Sequence, residues 1–71
     1  MKRLGEKLHM LRQRRGLTTK RLAEHLQTSD AQISRVETGQ RKPSADLVFK
    51  ISVFFEIPME RLMRDDLEVD S

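Results

Sequence analysis

The sequence predicts an all-α fold of five helices in one domain, because a chain of 71 residues has no room for a second core. Apolar residues recur at spacings of three and four, which is the period of a helix with one buried face. Aromatic residues make up only 4% of the chain, and the runs of β-branched residues that are typical of strands are absent. Capping residues stand where helices are expected to begin.

The first two helices are separated by a glycine that fits a helix end. Residues 2–15 are predicted to form the first helix. Its apolar stripe consists of Leu4, Leu8 and Leu11. Gly16 fits the left-handed backbone position just past that helix. Thr18 is the predicted N-cap of the second helix, which extends to about residue 26.

Three further helices follow, each with its own start signal. Ser29 is the predicted N-cap of the third helix, and Gln32 completes a capping box with it. Ser44 caps the fourth helix after a basic loop, and Pro58 opens the fifth. The predicted inward-facing residues of helices two to four are Leu22, Ala23, Leu26, Ile33, Val36, Leu47, Val48, Ile51 and either Phe54 or Phe55.

Charge is distributed unevenly along the chain. Residues 1–43 carry a net charge of +7, whereas residues 44–71 carry −4. This asymmetry favours a polyanion-binding face on one side of the molecule, and a merely solvated basic surface is the alternative. Residues 1–64 are predicted to form the domain, and residues 65–71 an acidic, frayed tail.

Several classes of function are disfavoured by composition. The chain has no cysteine, and its two histidines, His9 and His25, lie far apart in sequence, so no metal site is expected. Neither a catalytic constellation nor a phosphate-cradling glycine loop is recognisable, which argues against an enzyme and predicts no cofactor. Without a long apolar run or a signal peptide, a cytoplasmic protein without membrane contact is expected.

The segment from residue 19 to residue 38 is the most informative part of the sequence. It contains two short predicted helices separated by only about three residues. Such a tight turn makes the helices cross steeply, which is the helix-turn-helix geometry. In that geometry the second helix enters the DNA major groove with its N-terminus first. The small side chain of Ala23 suits the close approach of the two helices.

Four short motifs resemble the Cro/phage-repressor (Xre-type) helix-turn-helix family in their order and spacing. They are Leu17-Thr18-x-x-x-Leu22-Ala23, Ile33-Ser34-Arg35-Val36-Glu37-x-Gly39, Pro43-Ser44 and Ile57-Pro58-x-x-x-Leu62. The resemblance covers residues 4–64. It implies a five-helix lambda-repressor-like DNA-binding domain that works as a dimer on a two-fold operator.

The resemblance implies base-facing positions on the third helix, and several of these have a second interpretation. Arg35 either binds guanine O6 and N7 or clamps a phosphate. Gln32 either pairs with adenine or serves only in the capping box. Asp30 either accepts from cytosine N4 or complements the positive N-terminus of the helix. The complete predicted set is Asp30, Ala31, Gln32, Ser34 and Arg35.

Phosphate-contacting positions are implied on both sides of this helix. Thr19 and Thr38 match the family's phosphate-contacting positions, and Lys20 is a weaker candidate. Arg41 and Lys42 lie in the loop past which the DNA backbone is expected to run, although a solvated loop is the alternative.

An ion pair between Arg12 and Glu37 is also implied, because family members commonly pair an arginine of the first helix with the glutamate that closes the recognition helix. The alternative is two unrelated surface charges.

Gln27 departs from the family's usual glycine in the turn, so a non-glycine residue is expected to adopt the backbone conformation required there.

A homodimer on an inverted-repeat DNA site is expected, because one such domain contacts few phosphates and few bases. Phe54 and Phe55 are adjacent, so both cannot point into one core. The predicted dimer-interface residues are Phe54, Phe55, Ile57, Met59 and Met63. The alternatives are that the helices bury these residues, or that the patch binds another protein, such as a toxin neutralised by an antitoxin. The favoured function is a transcriptional regulator, expected to be a repressor, that binds double-stranded DNA.

Overall fold

The computed structural model describes residues 3–66. This part of the chain forms five α-helices and no strand, which confirms the predicted all-α, five-helix fold. The helices are α1 (Leu4–Arg14), α2 (Thr19–His25), α3 (Asp30–Glu37), α4 (Ala45–Phe55) and α5 (Met59–Met63).

Three helices begin at the side-chain caps that the sequence indicates. The hydroxyl oxygens of Thr18, Ser29 and Ser44 accept hydrogen bonds from the backbone N–H groups three residues further on, at 3.1, 3.1 and 3.2 Å. Each bond satisfies one of the N–H groups that the first turn of a helix leaves unpaired. The capping box at α3 is half formed, because no hydrogen bond among the described residues joins the Gln32 side chain to Ser29.

The turn between α2 and α3 is closed by a residue with left-handed backbone geometry. Gln27 has a φ of 56°, the conformation expected where many family members carry glycine. The N–H of the next residue, Thr28, donates to the carbonyl of Ala23 at 2.9 Å, so the chain reverses directly onto α2. A side chain in this region is strained by roughly 1–2 kcal/mol relative to glycine.

Apolar side chains from all five helices form one core. The buried members are Leu4, Leu8, Leu11, Leu22, Ala23, Leu26, Ile33, Val36, Leu47, Val48, Ile51, Phe55 and Leu62. Residue Gly5 lies where α1 crosses the end of α3. A Cβ atom added at Gly5 would lie 2.2 Å from the carbonyl oxygen of Val36, so the two backbones approach more closely than any larger residue permits.

Lys7 is a buried cation that the apolar pattern did not reveal. It is fully buried on the same face of α1 as Leu4, Leu8 and Leu11. Its Nζ donates to the carbonyl oxygens of Arg61 at 2.6 Å and Arg64 at 2.5 Å. These carbonyls belong to the last turn of α5, where the helix dipole favours a positive charge. Lys7 therefore anchors the short α5 against α1.

The predicted boundary after residue 64 is not tested by this fold. Asp65 contacts the residue that precedes α1, since its Oδ1 accepts from the backbone N–H of Arg3 at 2.9 Å and its carbonyl accepts from the Arg3 guanidinium at the same distance. Residues 67–71 of the predicted acidic tail lie outside the described residues.

Candidate nucleic-acid interface

One face of α3 packs against the core, and the other face is exposed. Ile33 and Val36 are buried in the core and lock its inner face. Of the five predicted base-facing residues, four are exposed and Gln32 is partly buried. Among the described residues, no hydrogen bond or ion pair uses the side chains of Asp30, Gln32 or Arg35. The first two turns of α3 therefore present polar side chains that are available for another molecule.

The loop after α3 lies against the end of that helix. The backbone N–H groups of Gln40 and Arg41 both donate to the carbonyl of Arg35, at 2.9 and 3.2 Å. Arg41 and Lys42 are exposed, and no ion pair of either is found within residues 3–66. Thr38 is also exposed, but its hydroxyl donates to the carbonyl of Ser34 at 3.0 Å. Contact of its proton with a phosphate would therefore require rotation of this hydroxyl.

Thr19 and Lys20 occupy the first turn of α2. Thr19 is partly buried, and Lys20 is exposed. The first turn of α2 therefore carries two of the predicted phosphate-contacting residues, one with a hydroxyl group and one with a positive charge.

A cleft of about 240 Å³ joins the two sets of predicted contacts. Its lining includes Gln27, Thr28 and Gln32 from the turn and from α3. The lining also includes Arg41 and Lys42 from the loop. The fold therefore brings a predicted base-contacting residue next to predicted phosphate-contacting residues.

Lys50 also lines this cleft, and sequence reasoning missed it. Its Nζ lies 3.2 Å from the carboxylate of Asp46, one turn earlier on α4. The spacing of four residues between Asp46 and Lys50 is a signal for such a pair.

Arg12 and Glu37 join α1 to the last residue of α3. Arg12 Nε donates to Glu37 Oε2 at 2.7 Å, and Arg12 Nη2 donates to Oε1 at 3.0 Å. The side chains are only 14% and 7% exposed. The hydrogen bonds with Glu37 raise the pKa of Arg12 above its ordinary value, against the opposing effect of burial. Arg12 Nη1 also donates to the carbonyl of Leu17 at 2.8 Å, so one guanidinium connects three parts of the fold.

The predicted dimer-interface residues differ in exposure, and one correction is needed. Phe55 is only 6% exposed and belongs to the core, so it is not part of a surface patch. Phe54 lies beside it, partly buried, with its ring stacked on His25 at 4.9 Å and edge-on to Phe55 at the same distance. Adjacent phenylalanines are thus accommodated by one core position and one position at the core edge.

The remaining members of the predicted interface lie nearer the surface. Ile57 and Met59 are partly buried against the core, and Met63 is 41% exposed. The most exposed large apolar residues on α4 are Phe49 and Val53, at 56% and 59%, which sequence reasoning did not single out. Their spacing of four residues on the face away from Leu47, Val48 and Ile51 is the signal that was available.

The described residues carry neither a membrane-spanning helix nor a metal cluster. No helix within them is long and apolar enough to cross a bilayer. Nor do residues 3–66 contain a group of three or more His, Asp or Glu side chains placed to hold a metal ion.

Two curated relatives are transcriptional regulators. The transcriptional repressor RghR of Bacillus subtilis (strain 168) is 41% identical over 64 residues, which make up 89% of this chain and 47% of that protein. The transcriptional activator BcrR of Enterococcus faecalis is 38% identical over 59 residues, or 83% of this chain and 29% of that protein. The chain therefore spans about half the length of the first relative and less than a third of the second.

Two solved structures share the fold. PlcR of Bacillus thuringiensis, in a crystal structure with the peptide PapR7 and DNA, matches with a TM-score of 0.78 and 30% identity over 93% of this chain and 25% of that chain. The P22 c2 repressor, crystallised with a synthetic operator, matches with a TM-score of 0.82 and 19% identity over 89% of this chain and 96% of that chain. Residues 3–62 match the family described as a helix-turn-helix domain. The chain belongs to this helix-turn-helix family.

Proposed function

We propose that this chain is the DNA-binding part of a transcriptional regulator and that it inserts α3 into the major groove. The observation that supports this most directly is the two-sided character of α3. Its inner face is held by Ile33 and Val36, while Asp30, Ser34 and Arg35 are exposed. A helix held in this way loses little backbone entropy when its exposed side chains bind the bases.

The proposed base contacts are Arg35 to guanine, Gln32 to adenine and Ala31 to a thymine methyl group. Asp30 and Ser34 complete the set on the same two turns of α3. The half-formed capping box favours the base-reading role of Gln32, because its side chain has no partner among the described residues.

The proposed phosphate contacts lie on either side of α3. Arg41 and Lys42 would bind the backbone on one side of the groove, and the first turn of α2, with Thr19 and Lys20, on the other. Thr38 would contribute after rotation of its hydroxyl. Two exposed loop cations without carboxylate partners among the described residues are available to replace the counterions of DNA.

We further propose that the protein acts as a homodimeric repressor on an inverted repeat. Two copies with recognition helices about 34 Å apart would enter successive major grooves on one face of the DNA. The proposed contact between copies uses Phe54, Ile57, Met59 and Met63, without Phe55, which the core already buries. Sedimentation velocity on the protein with DNA checks this, and a single copy on the DNA would refute it.

The experiment that tests DNA recognition is a selection of bound duplexes from random sequence, followed by affinity measurements against salt. The expected result is an inverted-repeat consensus with half-sites about one helical turn apart. If about six phosphates are contacted per dimer, the affinity should fall roughly a thousandfold between 50 and 200 mM salt. An absence of any enriched sequence would refute the proposal.

A protein-binding role, as in an antitoxin or adaptor, is the second candidate. It is favoured by Phe49 and Val53, which leave an apolar strip exposed on α4. Substitution of both residues by serine separates the two functions. Loss of regulation in cells with unchanged DNA affinity would favour the protein-binding role, whereas unchanged regulation would exclude this strip.

A further inference from the structure

The cleft beside α3 is lined by cations from two separate parts of the chain. Arg41 and Lys42 come from the loop after α3, and Lys50 comes from the middle of α4. Asp46 is the one acidic residue among the described residues that line the cleft. An anionic group that enters the cleft therefore meets a net positive charge that the fold, and not a run of basic sequence, assembles.

Lys50 is more enclosed than its ion-pair partner. Its side chain is 32% exposed, whereas that of Asp46 is 73% exposed. Lys50 also lines a second, neighbouring cleft, and the two clefts share Leu26, Gln27 and Lys50. The aliphatic part of Lys50 therefore lies on the border between the clefts. A lysine that lies along apolar surface in this way has less side-chain entropy left to lose when its ammonium group binds an anion.

The ion pair with Asp46 leaves Lys50 able to bind a second anion. Lys50 Nζ lies 3.2 Å from Asp46 Oδ2, and this is the only ion pair of Lys50 within residues 3–66. An ammonium group carries three N–H donors, so donors remain for another acceptor. Because an exposed pair at this helical spacing is weak, a phosphate can share the ammonium group with Asp46 or displace the carboxylate from it.

We propose that Lys50 is a further phosphate-binding residue of the nucleic-acid interface and that Asp46 competes with DNA for its charge. Gln32, on the first turn of α3, lines the same cleft as Arg41 and Lys42. A DNA strand whose base reaches Gln32 therefore has its backbone at this cleft, where Lys50 binds a phosphate together with the loop cations. The proposal rests on the proposed function, because it takes α3 to lie in the major groove.

A simpler role would give Lys50 no contact with DNA. Lys50 would then only neutralise Asp46, whose carboxylate would otherwise repel the phosphates. Both roles predict weaker DNA binding by Lys50→Gln, but they differ in a protein that already carries Asp46→Asn, because no carboxylate is left there to neutralise. A further loss of affinity when Lys50→Gln is added to Asp46→Asn therefore reports a contact between Lys50 and the DNA.

The experiment measures the affinity of the two single variants and the double variant for the selected duplex and for random duplexes, between about 50 and 200 mM salt. Lys50→Gln should weaken binding to all duplexes alike, by about two- to fivefold for each copy on the DNA. It should also reduce the slope of log affinity against log salt by about 0.9 per copy. Asp46→Asn should tighten binding, because it removes the competitor. The double variant should bind more weakly than Asp46→Asn.

Arg64→Gln is the matched control, because it makes the same change in charge at the other end of the molecule. Arg64 pairs with Glu60 at the same spacing of four residues, with Nη1 and Oε1 3.0 Å apart. Neither residue lines the cleft. Arg64→Gln should leave the affinity and the salt slope nearly unchanged. Urea unfolding of each variant without DNA checks that the changes in affinity do not come from loss of the fold.

Duplexes in which one phosphate at a time is replaced by an uncharged methylphosphonate locate the contact. At one phosphate of each half-site, the replacement should weaken the wild-type protein by about two- to fivefold and leave Lys50→Gln unaffected.

Failure of this proposal can be distinguished from failure of the proposed function. If the wild-type protein binds no duplex, the proposed function fails and the contact of Lys50 fails with it. If the wild-type protein binds DNA and Arg41→Ala weakens it, but Lys50→Gln has no effect in the Asp46→Asn protein, only the contact of Lys50 is overturned.

Discussion

Replacement of Gly5 by alanine should destabilise the fold through the crossing of α1 and α3. The new Cβ would lie 2.2 Å from the carbonyl oxygen of Val36 and 2.9 Å from that of Glu37. Because non-bonded carbon contacts are optimal at about 3.5 Å or more, α1 would have to move away from α3 by about 1 Å. Both atoms that the Cβ meets belong to the backbone, so no rotation of a side chain can relieve the overlap.

The magnitude follows from two opposing effects. Overpacking of this kind costs roughly 1–3 kcal/mol, and the better helix propensity of alanine returns about 1 kcal/mol. Because backbone atoms move aside less easily than side chains, we expect the free energy of unfolding to fall by a net value of about 2 kcal/mol. This is a large part of the stability of so small a domain. Val36 and Glu37 lie at the end of the recognition helix, so DNA affinity should also fall by more than the unfolded fraction explains.

Urea unfolding followed by circular dichroism measures this loss. Gln13→Ala is the matched control, because Gln13 is an exposed residue of the same helix, and its effect should stay within about 0.5 kcal/mol. A Gly5→Ala protein as stable as wild type would show that α1 and α3 can separate at no cost, and the reasoning would be refuted.

Three further predictions concern the turn, the ion pair and the DNA contacts. Gln27→Gly should raise the free energy of unfolding by up to about 1 kcal/mol, because glycine adopts the left-handed backbone conformation without strain. The gain is limited because glycine loses more entropy on folding. A decrease in the urea midpoint would contradict this prediction. Glu37→Ala should lower the free energy of unfolding by roughly 3 kcal/mol, because the largely buried Arg12 guanidinium loses its carboxylate partner. Unchanged unfolding and unchanged DNA affinity would refute the role of the pair. Arg35→Ala should cost about 1–3 kcal/mol on the selected site and relax preference at one base pair, whereas Arg41→Ala should weaken binding to all duplexes alike and reduce the salt slope by about one. Equal losses on selected and random DNA would reassign Arg35 to the phosphate backbone.

Short-range signals in the sequence were sufficient to predict the helices and their boundaries. Thr18, Ser29 and Ser44 act as N-caps because a hydroxyl two to three residues before an N–H group bonds to it wherever the helix lies in the molecule. The left-handed conformation of Gln27 was also foreseeable, because Gln27 stands where many members of the resembled family carry glycine. These features depend on neighbours within about four residues.

Features that depend on distant neighbours were less accessible. A lysine at position 7 reads as a solvent-facing residue, although the structure buries it against carbonyls of α5 that lie 54 and 57 residues away. Phe54 and Phe55 could not be ranked by pattern, because the choice depends on where His25 and the core lie around α4. Residues 49 and 53 were missed for a related reason, since exposure depends on what covers a helix face.

The sequence by itself determined the helical class, the caps and the motif order, because helix period and capping are properties of short stretches of chain. Only the tertiary structure decided which side chains meet across the fold. Gly5 is required by the approach of a second backbone, and His9 meets Glu37 across 28 residues. The physical reason is that a contact between distant residues depends on the packing of the helices that carry them, and that packing is settled by the whole core at once.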